Sequence, residues 1–199
     1  MSVLQFWYEF ASTYSYPAAM RVEEAPARYG VSISWQPFLL GPIFKGHGWD
    51  TSPFNLHADK GRYMWRDLER ICAGLDLPPM RRPDPFPQNP LKAARIALSL
   101  PDGQARSQFS KAVYAAEFAW LLPIDDDNVL RDILIGLSLP ADELIATSQV
   151  ETTKQALKSQ VATAQNLGIF GAPAFVASDG ELFWGNDRLD DALKWQARL

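Results

Sequence analysis

Residues 6–16 read FWYEFASTYSY. An apolar, aromatic run ends at Glu9-Phe10 and gives way to four hydroxyl-bearing residues in succession, Ser12-Thr13-Tyr14-Ser15, just before Pro17. Residues 3–10, VLQFWYEF, are rich in the residue types that favour strands. Pro17 suits the first turn of a helix, where an N–H has no intrahelical acceptor. That helix is expected to run to about Gly30, a residue suited to a C-terminal cap. VSISWQPF, residues 31–38, alternates and reads as a second strand. The chain therefore opens β-α-β, with the hydroxyl cluster where the first strand hands over to the first helix.

Working outward, the period turns helical. KGRYMWRDLERICAGL places Met64, Leu68, Ile71, Cys72 and Leu75 on one face. Asn89-Pro90 pairs a capping residue with a proline at the first helical position and opens LKAARIALSL. QARSQFSKAVYAAEFAWLL, NVLRDILIGL and ADELIAT follow as helices. Ser148 and Glu151 have capping-box spacing and begin a helix to about Leu167, closed by Gly168. Strand character returns in AFVA and ELFW, which flank the hairpin signal Asp179-Gly180. GNDRLDDALKWQARL reads as a last helix with Asn186 or Asp187 at its start. The expected class is α/β. A β-α-β half and a β-β-α half, residues 1–40 and 166–199, are interrupted by an all-helical insertion at 41–165. Gly41-Pro42 and the proline-rich stretch Pro78 to Pro90 are its expected joints.

Composition excludes several classes. The 199 residues are 47% hydrophobic and 21% charged, as in a folded chain, and the net charge of −4 argues against a nucleic-acid binder. No apolar run approaches the roughly 20 residues of a membrane span. The segment MSVLQFWYEF has no basic region or cleavage pattern of a signal peptide. The single cysteine, Cys72, has no internal partner. These features lead to the expectation of a cytoplasmic protein without membrane or nucleic-acid partners. Cys72 lies on the apolar face of its helix and is expected to be an inert core residue. His47 and His57 lack metal-ligand spacing, so no metal is expected.

The layout resembles a thioredoxin fold, whose active site lies where the first strand meets the first helix. Thioredoxins carry C-x-x-C there; Ser12-Thr13-Tyr14-Ser15 excludes dithiol chemistry at that spot. GIFGAPAF, residues 168–175, resembles the loop that carries the fold's cis-proline, here Pro173. Three stretches, FASTYSY, KGRYMWRDLER and GIFGAPAF with GELFWGNDRLD, together resemble the 2-hydroxychromene-2-carboxylate isomerases, relatives of the kappa-class glutathione transferases. The resemblance covers almost the whole chain. It implies glutathione as cofactor, a homodimer, and a small aromatic carboxylate as substrate. It also implies that Ser12 is the catalytic serine and that Lys60 helps hold glutathione. Ala172, before Pro173, would meet the cysteinyl unit through its backbone, and Asn186 with Asp187 the γ-glutamyl end. Two departures stand out. Thr13 occupies a place where many members have Pro. Asp50-Thr51-Ser52 lacks the Asn of the kappa enzymes, leaving Asn55 as the nearest substitute.

Isomerising a conjugated double bond requires making it single for a moment, which reversible thiolate addition achieves. A free thiol has a pKa near 8.5, so only a few per cent is ionised at neutral pH. A hydroxyl donated by Ser12 and a helix N-terminus would each favour the thiolate by about 1 kcal/mol. By residue type alone, Ser12, Asn186 and Asp187 are also ordinary helix caps, and Lys60 a solvated charge. Asn89 suits capping better than substrate contact, although Asn89 and Arg95 are the candidate substrate-binding residues; Lys92 and Arg95 lie near one helix start. Tyr14 and Tyr16 read as packing residues. Trp7, Phe38, Phe44, Trp49 and Trp65 are candidates to line a flat pocket. Three readings follow: an isomerase acting on a chromene carboxylate and an aromatic 2-oxo-alkenoate in aromatic-compound catabolism, a kappa-like transferase, or a non-catalytic thioredoxin-like binding module.

Overall fold

The computed structural model describes residues 2–50 and 52–199. Thr51, in the departing Asp50-Thr51-Ser52 stretch, lies outside the described residues. Four strands, β1 (Val3–Tyr8), β2 (Ser32–Pro37), β3 (Ala174–Val176) and β4 (Leu182–Trp184), form one sheet in the order β2-β1-β3-β4. β1 and β2 are parallel, with Phe6 opposite Trp35. β3 runs antiparallel to both β1 and β4 and brings Phe175 beside Phe6. Between β1 and β2 lie α1 (Ser15–Arg21) and α2 (Ala25–Tyr29). Eight helices separate β2 from β3. They are α3 (Leu40–Gly46), α4 (Pro53–Leu56), α5 (Ala58–Gly74), α6 (Leu91–Ser99), α7 (Gln104–Phe118), α8 (Asp127–Gly136), α9 (Ala141–Thr147) and α10 (Glu151–Asn166). A 3-10 turn, Asn186–Arg188, leads into α11 (Leu189–Gln196). Among the described residues no helix is long and apolar enough to cross a membrane.

The sheet is buried on both faces, which explains why β1 is almost continuously apolar. Successive side chains of a strand point to opposite faces. Leu4, Phe6 and Tyr8 accordingly join one core with Trp35, Phe175, Tyr114 of α7 and Leu193 of α11. Trp7 joins the other, with Phe38, Ile43 of α3, Ala164 of α10 and Val176. Phe6 is the hub of the first core, 5.2 Å from the ring of Tyr8, 5.0 Å from Trp35 and 5.4 Å from Phe175. Each fully buried side chain of this size contributes about 1.5–3 kcal/mol.

Three local expectations are corrected. The first helix stops at Arg21 and resumes as α2, because Pro26 has no N–H to continue an α-helical ladder. Gly41-Pro42 is not a joint but part of α3, where proline is tolerated in the first turn. Ser148 and Glu151 form no capping box. Ser148 closes α9, its hydroxyl donating to the Ile145 carbonyl at 2.7 Å, and Val150 precedes α10 without a side-chain cap. Gly168 ends α10 as expected, in the left-handed conformation at φ +75°.

Candidate functional site

The four hydroxyl residues after β1 have different fates. Ser12 donates to the Ala172 carbonyl at 2.9 Å across 160 residues of sequence. Thr13 donates to the Met64 sulfur at 3.1 Å, and Tyr14 to an Asp67 carboxylate oxygen at 3.0 Å, both on α5. Ser15 is buried in the first turn of α1. The β1–α1 loop is therefore pinned on one side to α5 and on the other to the Gly171-Ala172-Pro173 loop. The Ala172–Pro173 peptide bond is cis, as are Asp84–Pro85 and Phe86–Pro87.

A cavity of about 1460 Å³ opens above this junction. That exceeds the roughly 300–1,000 Å³ of a common ligand pocket. It gathers Ser12, Lys60, Asn89, Ala172, Asn186 and Asp187 from five separate stretches of chain. Pro173 stands directly behind Ala172, and its carbonyl accepts from the Gly185 N–H at 2.9 Å. This bond brings the end of β4, and with it Asn186 and Asp187, to the cis-proline loop. Arg95, expected near a substrate carboxylate, is not among the residues lining this cavity and lies half-buried on α6. Lys92 is likewise turned away, paired with Asp127 at 2.6 Å and the Asp125 carbonyl at 2.9 Å. Asn89 both lines the cavity and caps α6, accepting from Leu91 N–H at 3.1 Å. Asp50 and Ser52 line the cavity, whereas Asn55 does not.

Two glycines set the geometry of this wall. A methyl group on Gly171 would lie 2.5 Å from the Trp184 indole nitrogen, so glycine lets the loop pass the indole without displacing it. Gly185 has φ +112°, and a methyl group there would lie 2.5 Å from an Asp187 carboxylate oxygen. Asn186 is buried, and its side-chain oxygen accepts from Arg21 Nε at 3.1 Å. Its amide NH2 is the part left to a ligand. Arg188 holds Asp187 at 3.0 Å and Asp191 at 2.9 Å.

Of the aromatic residues expected in a pocket, Phe44 and Trp49 line the cavity with ring centroids 5.9 Å apart. Trp7 and Phe38 are buried under the sheet instead, because they point to its second core. Trp65 backs the cavity by packing on Phe86 at 5.0 Å. Sequence reasoning missed Phe54, Phe86, Phe170 and Trp184 as lining residues. Phe170 and Trp184, 4.9 Å apart and each about half exposed, flank residues already singled out at 171–173 and 185–187. It also missed Glu9, and it read Tyr14 as packing, although both line the cavity. Burial pushes the Glu9 carboxyl up to about 8, opposed in part by the amides of Ala11 and Ser12. Burial likewise pushes the Cys72 thiol up to about 11 in the core between α5 and its neighbours. Among the described residues no cluster of three or more His, Cys, Asp or Glu side chains is placed to hold a metal ion.

The chain is similar to known proteins along almost its whole length. The chain is 29% identical over 191 residues to a 2-hydroxychromene-2-carboxylate isomerase of Sphingobium xenophagum, covering 94% of each chain. It is 23% identical over 208 residues to glutathione S-transferase kappa 2 of Caenorhabditis elegans, covering 98% of this chain and 92% of the relative. A solved structure of a 2-hydroxychromene-2-carboxylate isomerase superposes with a TM-score of 0.86 at 20% identity, covering 98% of this chain and 95% of the other. Residues 3–194 match the DSBA-like thioredoxin domain.

Proposed function

We propose that this chain, which belongs to the DSBA-like thioredoxin domain family, is a glutathione-dependent isomerase of the 2-hydroxychromene-2-carboxylate type, interconverting a chromene carboxylate and an aromatic 2-oxo-alkenoate. The observation that carries the reading is the position of Ser12. It occupies the strand-to-helix junction of a thioredoxin fold, inside a large cavity, in a chain whose single cysteine is buried elsewhere. Sulfur chemistry at this cavity therefore needs a thiol from outside. The likeness to the isomerase and to the kappa transferase supports glutathione as that thiol.

The lining fits such a ligand. Ala172 presents a backbone carbonyl for the cysteinyl amide, Asp187 a carboxylate for the γ-glutamyl ammonium, and Lys60 a cation for a ligand carboxylate. Buried Asn186, its oxygen held by Arg21, offers its N–H groups. Glutathione bound there would supply a thiolate able to add reversibly to a conjugated carbon. A hydroxyl has one proton to donate, and Ser12 gives it to the Ala172 carbonyl. A ligand amide that takes over this carbonyl leaves the Ser12 O–H to turn toward sulfur and hold the thiolate form. Phe44, Trp49, Phe54 and Phe86 provide apolar walls for a flat aromatic substrate. On this reading the protein works in the cytoplasm, as a homodimer, in the breakdown of aromatic compounds.

The same site suits a kappa-like transferase, which would consume glutathione where an isomerase returns it. The primary test is calorimetric titration with reduced glutathione, paired with ultraviolet titration of the bound thiol. Ser12→Ala should raise the bound thiol pKa by about one unit, the worth of one charge-assisted hydrogen bond. Absence of binding at millimolar glutathione would remove both enzyme readings and leave a thioredoxin-like binding module.

A further inference from the structure

Two acidic side chains are buried beside the cavity without a cation. Glu9 ends the apolar run of β1 and lines the cavity while only 6% exposed. Glu117, on α7, is fully buried, and neither of its carboxyl oxygens has a hydrogen-bond partner. Tyr114, one turn before Glu117, donates its hydroxyl to the Glu9 backbone carbonyl at 2.9 Å, so α7 is docked directly on this residue. Among the described residues, neither glutamate takes part in an ion pair. The titratable groups around Glu9 are Tyr8 on its own strand and Tyr114 and Glu117 on α7. Across the cavity stand His47, Asp50, Lys60, Asp67, Asp187 and Arg188.

Burying an uncompensated carboxylate costs several kcal/mol, and a group so placed takes up a proton instead. At Glu117, like-charge repulsion from Glu9 adds to desolvation. At Glu9 desolvation favours the protonated form, and the backbone amides of Ala11 and Ser12 oppose it in part. A neutral carboxylic acid differs from a carboxylate in one respect that matters to chemistry: it has an O–H to donate. Glu117 is sealed in the core. Glu9 alone opens to the cavity, three residues from Ser12.

We propose that Glu9 is a catalytic residue of this cavity, a buried carboxylic acid that donates a hydrogen bond to the substrate's carbonyl oxygen. The inference rests on the glutathione reading above and holds for either reaction on a conjugated oxo acid. When a nucleophile adds to the conjugated carbon, negative charge develops on that oxygen. A donor already in place stabilises it without reorganisation. A buried acid in this role is an established solution in enzymes that form enolates.

The test has one readout independent of turnover. Infrared difference spectra of the unmodified chain and Glu9→Gln at pH 6 should show a protonated-carboxyl band assigned to Glu9, lost from the unmodified chain as pH rises through about 8. With glutathione and an unsaturated aromatic oxo acid, kcat of the unmodified chain should fall as pH rises through that range. Glu9→Gln, which keeps an N–H donor of similar shape, should retain activity within about tenfold and lose this alkaline limb. Glu9→Ala should lower kcat by roughly a hundredfold, the loss typical of one oxyanion donor, while its glutathione affinity stays unchanged. Absence of the acid band, or an alkaline limb that persists in Glu9→Gln, overturns the proposal. Failure of the unmodified chain to bind glutathione instead overturns the functional reading, and the infrared result still reports on the protonation of Glu9.

Discussion

Replacing Arg106 by methionine should destabilise the fold by about 3–5 kcal/mol, and the structure shows why. Arg106 is 8% exposed on α7. Its Nε donates to the Ala97 carbonyl at 2.9 Å, one terminal nitrogen to the Trp35 carbonyl at 2.8 Å, and the other to Leu100 at 2.7 Å and Leu98 at 3.4 Å. The 97–100 carbonyls belong to the last turn of α6 and its exit, where the regular helical ladder runs out and Ala97 has only a long bond from the Leu100 N–H at 3.3 Å. The positive charge also suits the helix C-terminus. Trp35 lies on β2, so one guanidinium joins α6, α7 and the sheet. Asp102 supplies the countercharge at 3.7 Å and accepts from the Trp35 N–H at 2.9 Å. Methionine fills much of the stem volume but donates nothing, so three short charge-assisted bonds are lost, each worth about 1.5–3 kcal/mol. Relief from burying a guanidinium offsets part of that sum. For a chain of this size the melting temperature should fall by about 6–20 °C, at 2–4 °C per kcal/mol. Lysine restores charge without the fork and should recover less than half of the loss. Urea unfolding of the three proteins measures these differences. A methionine variant within 1 kcal/mol of the parent, or a lysine variant equal to it, would refute the assignment of α6 capping to the guanidinium fork.

Two further outcomes are expected. Gly171→Ala forces a methyl group to within 2.5 Å of the Trp184 indole, so the indole must shift. Because Trp184 is 53% exposed, the stability loss should stay near 1–2 kcal/mol, while glutathione affinity falls at least tenfold; unchanged affinity by calorimetry would show that this wall does not shape the ligand site. The second concerns pH and stability. Glu9 has a folded pKa raised from 4.5 to about 8, so the folded state binds more protons than the unfolded state between those values. Its contribution is most favourable below about pH 4.5 and is lost as pH rises toward 8, by up to about 1.4 kcal/mol per unit. Glu117 is raised in the same direction. Glu117→Gln should therefore be more stable than the parent at pH 8 and gain less, or nothing, at pH 5, as read from urea midpoints. Equal midpoint shifts at the two pH values would contradict a protonated core.

The sequence by itself determined the architecture. Aromatic runs bounded by Gly and Pro, amphipathic helices between them and the Asp179-Gly180 turn are local signals, and each specifies its element through steric and hydrophobic patterns that need no distant partner. Motifs carried by resemblance also marked five residues, Ser12, Lys60, Ala172, Asn186 and Asp187, that the fold brings to one cavity. Where local rules failed, a competing local rule was at work, as with Pro26 dividing the first helix or Ser148 closing α9 instead of opening α10. Only the tertiary structure decided which side chains share the site. The 2.9 Å bond between Ser12 and Ala172 spans 160 residues, and Arg95, on the half-buried side of α6, falls outside a cavity that its neighbour Asn89 enters. The alternation of β1 did not say that Trp7 and Phe38 face a second core beneath α3 and α10, because a strand buried on both faces shows no polar side. Nor did the sequence show that Glu9 and Glu117 are both buried. Burial and protonation depend on what packs around a carboxyl, and 107 intervening positions separate these two in the chain.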